Sequence, residues 1–188
     1  MQTNSLQHGF FFDQSRCTGC LTCIIACKQW HSVDYEAMNW RRVETVENGT
    51  FPHLKVSFLS ISCLHCLTPP CVSACPASAI VKRQEDGIVV VDSEKCLGQP
   101  DCGLCEEACP YGIPQFNPGR DFKMEKCDLC LDRQEQGKQP ICVDACPVHA
   151  LDSAPLEELS KRYGSGTVAE GFDFSRKANP SIILRKKP

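Results

Sequence analysis

The sequence predicts a small, loop-rich α+β fold: two nested modules with short antiparallel hairpins, followed by an extended C-terminal tail. Three observations predict it. Sixteen of the 188 residues are cysteine, at the edge of the range that marks a cysteine scaffold. Hydrophobic residues make up 42% but aromatics only 7%, so a large packed core is not expected and something besides apolar burial must hold the chain together. The cysteines also fall into four groups of four, and every group closes with an x3-Cys step. Three classes are disfavoured at once. No run of 18 apolar residues is present, so no membrane span is expected. Met1 to Gly9 shows no basic stretch followed by an apolar one, so no signal peptide is expected. A formal charge of −3 and a pI near 5.9 leave no broad basic footprint for nucleic acid.

The groups are Cys17-x2-Cys20-x2-Cys23-x3-Cys27, Cys63-x2-Cys66-x4-Cys71-x3-Cys75, Cys96-x5-Cys102-x2-Cys105-x3-Cys109 and Cys127-x2-Cys130-x11-Cys142-x3-Cys146. Pro76, Pro110 and Pro147 follow three of the last cysteines. A disulfide scaffold belongs to an oxidising compartment and a secreted chain. Zinc sites usually pair two C-x2-C knuckles, often with histidine. A run of C-x2-C-x2-C-x3-C-P is instead the bacterial ferredoxin signature. Three close thiolates wrap one cubane, and the fourth, on the short helix that follows, reaches the neighbouring cluster. The proline removes a backbone donor and stops that helix.

The elements follow in order. Residues 10–13 read as a strand leading into the first loop, and 21–30 as a short helix after it. Residues 41–46 and 55–61 read as strands around an Asn48-Gly49 turn. Residues 79–83 and 88–92 read as strands flanking Glu85-Asp86-Gly87, a hairpin signal. Residues 129–136 look helical, stopped by Gly137, and 155–163 form a helix opened by proline and closed by Gly164. Residues 164–180 read as extended, and 181–184 as a strand or a strap on a neighbour. Ferredoxin motifs work in pairs. Only 20 residues separate Cys75 from Cys96, so groups two and three form a compact inner module (55–117). Groups one and four then pair across it as an outer module (1–54 and 118–152), with residues 153–188 as helix and tail.

Exchange of the fourth cysteine within each pair gives four [4Fe-4S] clusters. The first takes Cys17, Cys20, Cys23 and Cys146; the second Cys27, Cys127, Cys130 and Cys142. The third takes Cys63, Cys66, Cys71 and Cys109; the fourth Cys75, Cys96, Cys102 and Cys105. All sixteen thiols bind iron and none is left over. Complete cysteine ligation leaves no iron open to substrate, so no catalytic residue is assigned. Charge, exposure and hydrogen bonds to sulfur would set the potentials. Gly19 and Gly103 would let backbone N–H groups reach the sulfurs. His65, inside Cys63-x2-Cys66, could tune the third cluster, and Lys28 could sit near the second. His31, His53 and His149 show no partner pattern, while Trp30 and Trp40 suit either a small core or a partner interface. Residues 151–188 hold 7 Lys+Arg against 5 Asp+Glu, a basic tail read first as a solvated terminus.

These motifs resemble the iron–sulfur (beta) subunits of the DMSO reductase superfamily of molybdenum and tungsten enzymes. The resemblance rests on 13–20 (Asp-Gln-Ser-Arg-Cys-Thr-Gly-Cys), Cys63 to Pro76, Ala108 to Phe116, Lys126 to Pro147 and Asn179-Pro180-Ser181. It implies a wire running from the first cluster to the fourth. The first would face a large catalytic subunit carrying a molybdenum or tungsten bis-pterin cofactor. The fourth would face the other electron carrier, a membrane quinone-reactive subunit or a soluble one. The chain would be cytoplasmic, or exported with a signal-bearing partner, and membrane-associated only through partners. Gln99-Pro100-Asp101 lengthens the first gap of group three beyond the family spacing, which bears on the fourth cluster. The alternative readings are a free-standing polyferredoxin shuttle and a ferredoxin-like subunit of a hydrogenase or formate-oxidising complex.

Overall fold

The computed structural model describes residues 6–33 and 38–188; the first five residues of the stretch read for a leader lie outside them. The fold is organised on a run of three phenylalanines. Phe10, Phe11 and Phe12 lie in β1 (His8–Asp13) and all three are buried. Side chains alternate along a strand, so a continuous apolar run means burial on both faces. Phe10 and Phe12 enter the largest apolar cluster. Phe11 turns the other way, onto Leu159 and the Tyr163 ring, which stacks on it at 3.8 Å. Those two residues belong to helix α6 (Leu156–Tyr163).

β1 is the middle of a three-stranded sheet. It pairs antiparallel with β8 (Leu151–Pro155), from His8↔Pro155 to Phe12↔Leu151, and parallel with β9 (Ile182–Arg185), from Phe10↔Ile182. Gly9 is required at this crossing, because a Cβ there would stand 2.2 Å from the Ser181 carbonyl oxygen. β2 (Arg42–Asn48) and β3 (Lys55–Ile61) form one hairpin, in register from Arg42↔Ile61 to Asn48↔Lys55. β4 (Ile80–Lys82) and β5 (Val89–Val91) form a second, at the expected position but shorter. A third, β6 (Gln115–Asn117) with β7 (Lys123–Glu125), has no counterpart among the expected elements. Its strands, Gln-Phe-Asn and Lys-Met-Glu, are three residues each, too short for their alternation to stand out. A 3-10 turn at Pro118–Arg120 joins them, capped where the Asn117 side chain accepts from the Gly119 N–H.

The remaining helices are short. α1 (Thr22–His31) packs against α5 (Ile141–Asp144), and α2 (Pro70–Ala74) against α3 (Leu104–Ala108). α4 spans only Leu131–Gln134, because Leu129 and Cys130, expected to be helical, have positive φ. Among the described residues no helix is long and apolar enough to cross a membrane.

The C-terminal segment belongs to the fold rather than to solvent. Arg185 bonds the buried Asp13 carboxylate at 2.9 Å, Lys186 pairs with Glu170 at 2.6 Å, and Lys187 donates to the Val56 carbonyl. Burial works against the Asp13 charge, but hydrogen bonds from Ser15 and Arg185 outweigh it and keep its pKa below the usual value. Ser181 ties the tail to the second cysteine loop, donating to the carbonyls of Leu64 and His65. Removing residues 181–188 should therefore destabilise the whole protein. Ile182, Ile183 and Leu184 are buried, and each contributes about 1.5–3 kcal/mol. Denaturant unfolding of the truncated chain should show a loss of several kcal/mol; an unchanged midpoint would contradict this account of the tail.

Candidate metal centres

Each cysteine group is shaped by a repeated backbone turn. The residue two places after the first cysteine has positive φ in every group: Gly19 (71°), His65 (42°), Gly98 (77°) and Leu129 (63°). Only two of these are glycines, so the other two carry the left-handed conformation at a cost of about 1–2 kcal/mol each. The turn aims an N–H back at sulfur. Leu129 donates to Cys127 Sγ at 3.4 Å, and the Gly19 N–H does the same for Cys17. A second turn follows the closing cysteine. Ser78, Gly112 and His149, each three residues on, also have positive φ. The next N–H then reaches back to sulfur: Ala79 to Cys75 and Ala150 to Cys146, both at 3.3 Å, and Ile113 to Cys109. Gly103, expected to help in this way, has φ −150° and no left-handed role.

These turns gather sulfurs that are distant in sequence. Cys17, Cys20, Cys23 and Cys146 line one cavity. Cys63, Cys66, Cys71 and Cys109 line another, and Cys75, Cys96, Cys102 and Cys105 a third. The identical four-thiol donor sets suit one kind of guest, a four-thiolate iron–sulfur cubane. The remaining four also converge: Cys27 and Cys142 each raise the pKa of Cys127 and Cys130.

Burial dominates the electrostatics. It pushes the thiols of Cys27, Cys66, Cys71 and Cys130 up to about 12 and Cys105 to about 11. Cys20 differs: it is exposed, and a hydrogen bond from Thr22 lowers its pKa. Two buried cations lie among the thiols. Arg41 donates to the hydroxyls of Ser60 (3.1 Å) and Ser62 (2.8 Å). Lys126 donates to the carbonyls of Val89 and Cys127 and lines the cavity of Cys63, Cys66, Cys71 and Cys109.

Other expected residues fall as follows. His65 is fully buried, with Nδ1 accepting from the Val89 N–H; its Nε2 has no hydrogen-bond partner among the described residues. Lys28 donates to the Met38 carbonyl. Trp30 bonds Asp132 and lies under Arg133. Trp40 packs against the His31 ring. His31, for which the sequence offers no partner, has Nε2 3.2 Å from Cys130 Sγ and 3.9 Å from Asp128. Since Cys130 sits with Cys27, Cys127 and Cys142, these three residues are no separate centre. Arg41 and Lys126 carry no signal in the cysteine pattern. The Gln99-Pro100-Asp101 loop folds outward onto the β6–β7 turn, where the Gln99 N–H bonds the Phe122 carbonyl, and Cys96 keeps its place in the cavity.

Thiols with raised pKa values hold their protons more firmly, so metal must displace protons over a wider range. Metal uptake by the stripped chain, measured by chelator competition, should keep strengthening as pH rises past about 9, where ordinary thiols would level off. Gly112→Ala meets no atom within 4 Å but keeps φ +55°, so it should cost about 1–2 kcal/mol through the backbone alone. Gly103→Ala, whose Cβ would have 3.6 Å of clearance, should be tolerated in the same unfolding assay.

Comparison with known proteins agrees with this chemistry. Residues 54–154 and residues 16–80 each match a family described as a 4Fe-4S dicluster domain. The chain is 43% identical over 187 residues to a component of the anaerobic dimethyl sulfoxide reductase of Escherichia coli (strain K12), covering 95% of this chain and 88% of that one. It is 39% identical over 164 residues to a component of the sulfite dehydrogenase of Allochromatium vinosum, covering 77% and 67%. To the iron-sulfur subunit of the nitrate-inducible formate dehydrogenase of Escherichia coli (strain K12) it is 32% identical over 192 residues, covering 91% and 63%. Three cavities each lined by four thiols, two dicluster matches and likeness along nearly the whole chain lead to one conclusion: this protein belongs to the iron–sulfur subunits of the DMSO reductase family.

Proposed function

We propose that this chain is a non-catalytic electron-transfer subunit whose four [4Fe-4S] clusters form a wire. The wire would join a molybdenum or tungsten bis-pterin catalytic subunit to a membrane quinone-reactive subunit or a soluble carrier. The observation that carries this reading is that twelve of the sixteen cysteines line three cavities, four to each. When bound, each cubane takes up and passes on one electron. The sixteen sulfurs would hold iron in the sets named above, and the backbone N–H groups of Gly19, Ala79, Ile113, Leu129 and Ala150, directed at the sulfurs of Cys17, Cys75, Cys109, Cys127 and Cys146, would stabilise the added charge.

Nested modules fit the packing of α1 on α5 and of α2 on α3. The ends of the wire also look like docking sites. Exposed Leu21 and Ile25 flank the exposed Cys20, and exposed Leu97 and Leu104 flank Cys96 and Cys105. Apolar surface of this kind beside a redox centre suits a partner that must come close and exclude water.

Anaerobic preparations should contain about 16 iron atoms per chain. Cys75→Ser should remove one cluster signal in EPR and leave the other three. The protein should also co-purify with a large subunit. A stable lone chain that carries electrons between enzymes would favour the shuttle reading instead, and zinc in place of iron would end both.

A further inference from the structure

Arg41 presents an electrostatic problem that hydrogen bonding alone does not solve. It is 2% exposed, and among the described residues no carboxylate pairs with it. Among the described residues its guanidinium meets neutral partners: the Ser60 and Ser62 hydroxyls and the Phe10 ring, 4.7 Å away. Nε has no hydrogen-bond partner among the described residues. Buried charges persist when something of opposite sign compensates them. Here the compensation comes from sulfur. Burial alone would lower the Arg41 pKa, but the sulfurs of Cys142, Cys23, Cys127 and Cys27 raise it. Cys23 belongs to the first site and the other three to the second, so the cation serves both.

The Ser60 hydroxyl extends the influence. It accepts from Arg41 and lies 3.6 Å from Cys23 Sγ. With its lone pair engaged by the guanidinium, its proton is free to point at the sulfur. A cubane held by four thiolates carries a charge of about −2 when oxidised and gains one more on reduction, with no bond made or broken. A fixed cation favours the reduced form.

We propose that Arg41 is the internal counter-cation of the first and second cluster sites and raises both reduction potentials. It is a positioning residue: it touches neither substrate nor iron. The proposal rests on the four-cluster reading above, and the iron content of the unaltered protein tests that reading separately: a value far below about 16 per chain would sink the reading itself.

The test is a potentiometric EPR titration of the purified, iron-loaded protein beside Arg41→Gln and Arg41→Lys. In a fully loaded Arg41→Gln protein, two of the four clusters should become harder to reduce by at least about tenfold, or about 59 mV for a one-electron couple. The other two should stay where they were. Arg41→Lys, which keeps the charge, should restore most of the difference. Full loading with all four midpoints unchanged, or with all four moved alike, would overturn the proposal. If Arg41→Gln fails to load iron, Arg41→Lys decides: loading with near-normal midpoints supports a charge requirement, and failure to load overturns the proposal by showing that side-chain shape, not charge, matters.

Discussion

Four sulfurs have to meet around each cavity, and no single short stretch of this chain supplies all four. The rest of the architecture answers that requirement. Cys146 joins Cys17, Cys20 and Cys23 because β8 returns to pair with β1, which delivers the fourth cysteine loop to the first. Cys109 joins Cys63, Cys66 and Cys71 because α3 packs on α2. The hairpins are too short to be cores in their own right. They hold loops at fixed separations, and so the low aromatic content is no handicap.

Gathering so much sulfur in a dry interior has an electrostatic cost, and the backbone offsets part of it. Turns with positive φ direct N–H groups at the thiols, even where the residue is leucine, serine or histidine and the conformation is strained. Local strain of this kind persists when its surroundings over-determine it. Here the surroundings are the sulfurs themselves. Arg41 and Lys126 set two basic side chains in the interior. Their neutral hydrogen-bond partners orient them.

Cysteine spacing made the metal chemistry legible, because ligand geometry constrains local sequence. The β4–β5 and β2–β3 hairpins were legible for a similar reason, since each is a pair of segments rich in β-branched residues around a turn. The β6–β7 hairpin was not, because three-residue strands have no period to detect. The contact of His31 with Cys130 and the pull of Cys142 on the Arg41 charge were hidden for another reason: the partners lie some 100 residues away in sequence. The parallel pairing of β9 was equally hidden, since an apolar run of three residues reads alike as strand or strap. Leu129 and Cys130 misled in the opposite direction. Their side chains suit a helix, but the demand for an N–H at Cys127 decides their backbone.

The β1–β9 pairing has a temporal side. Asp13 and Arg185 are 172 residues apart. At a synthesis rate of about 5–20 residues per second, roughly 9 to 34 s pass between their appearances on a growing chain. Throughout that interval β1 lacks its parallel neighbour, and one flank of its phenylalanine run is open. The sheet that seats the first cysteine loop is thus among the earliest parts made and among the latest completed.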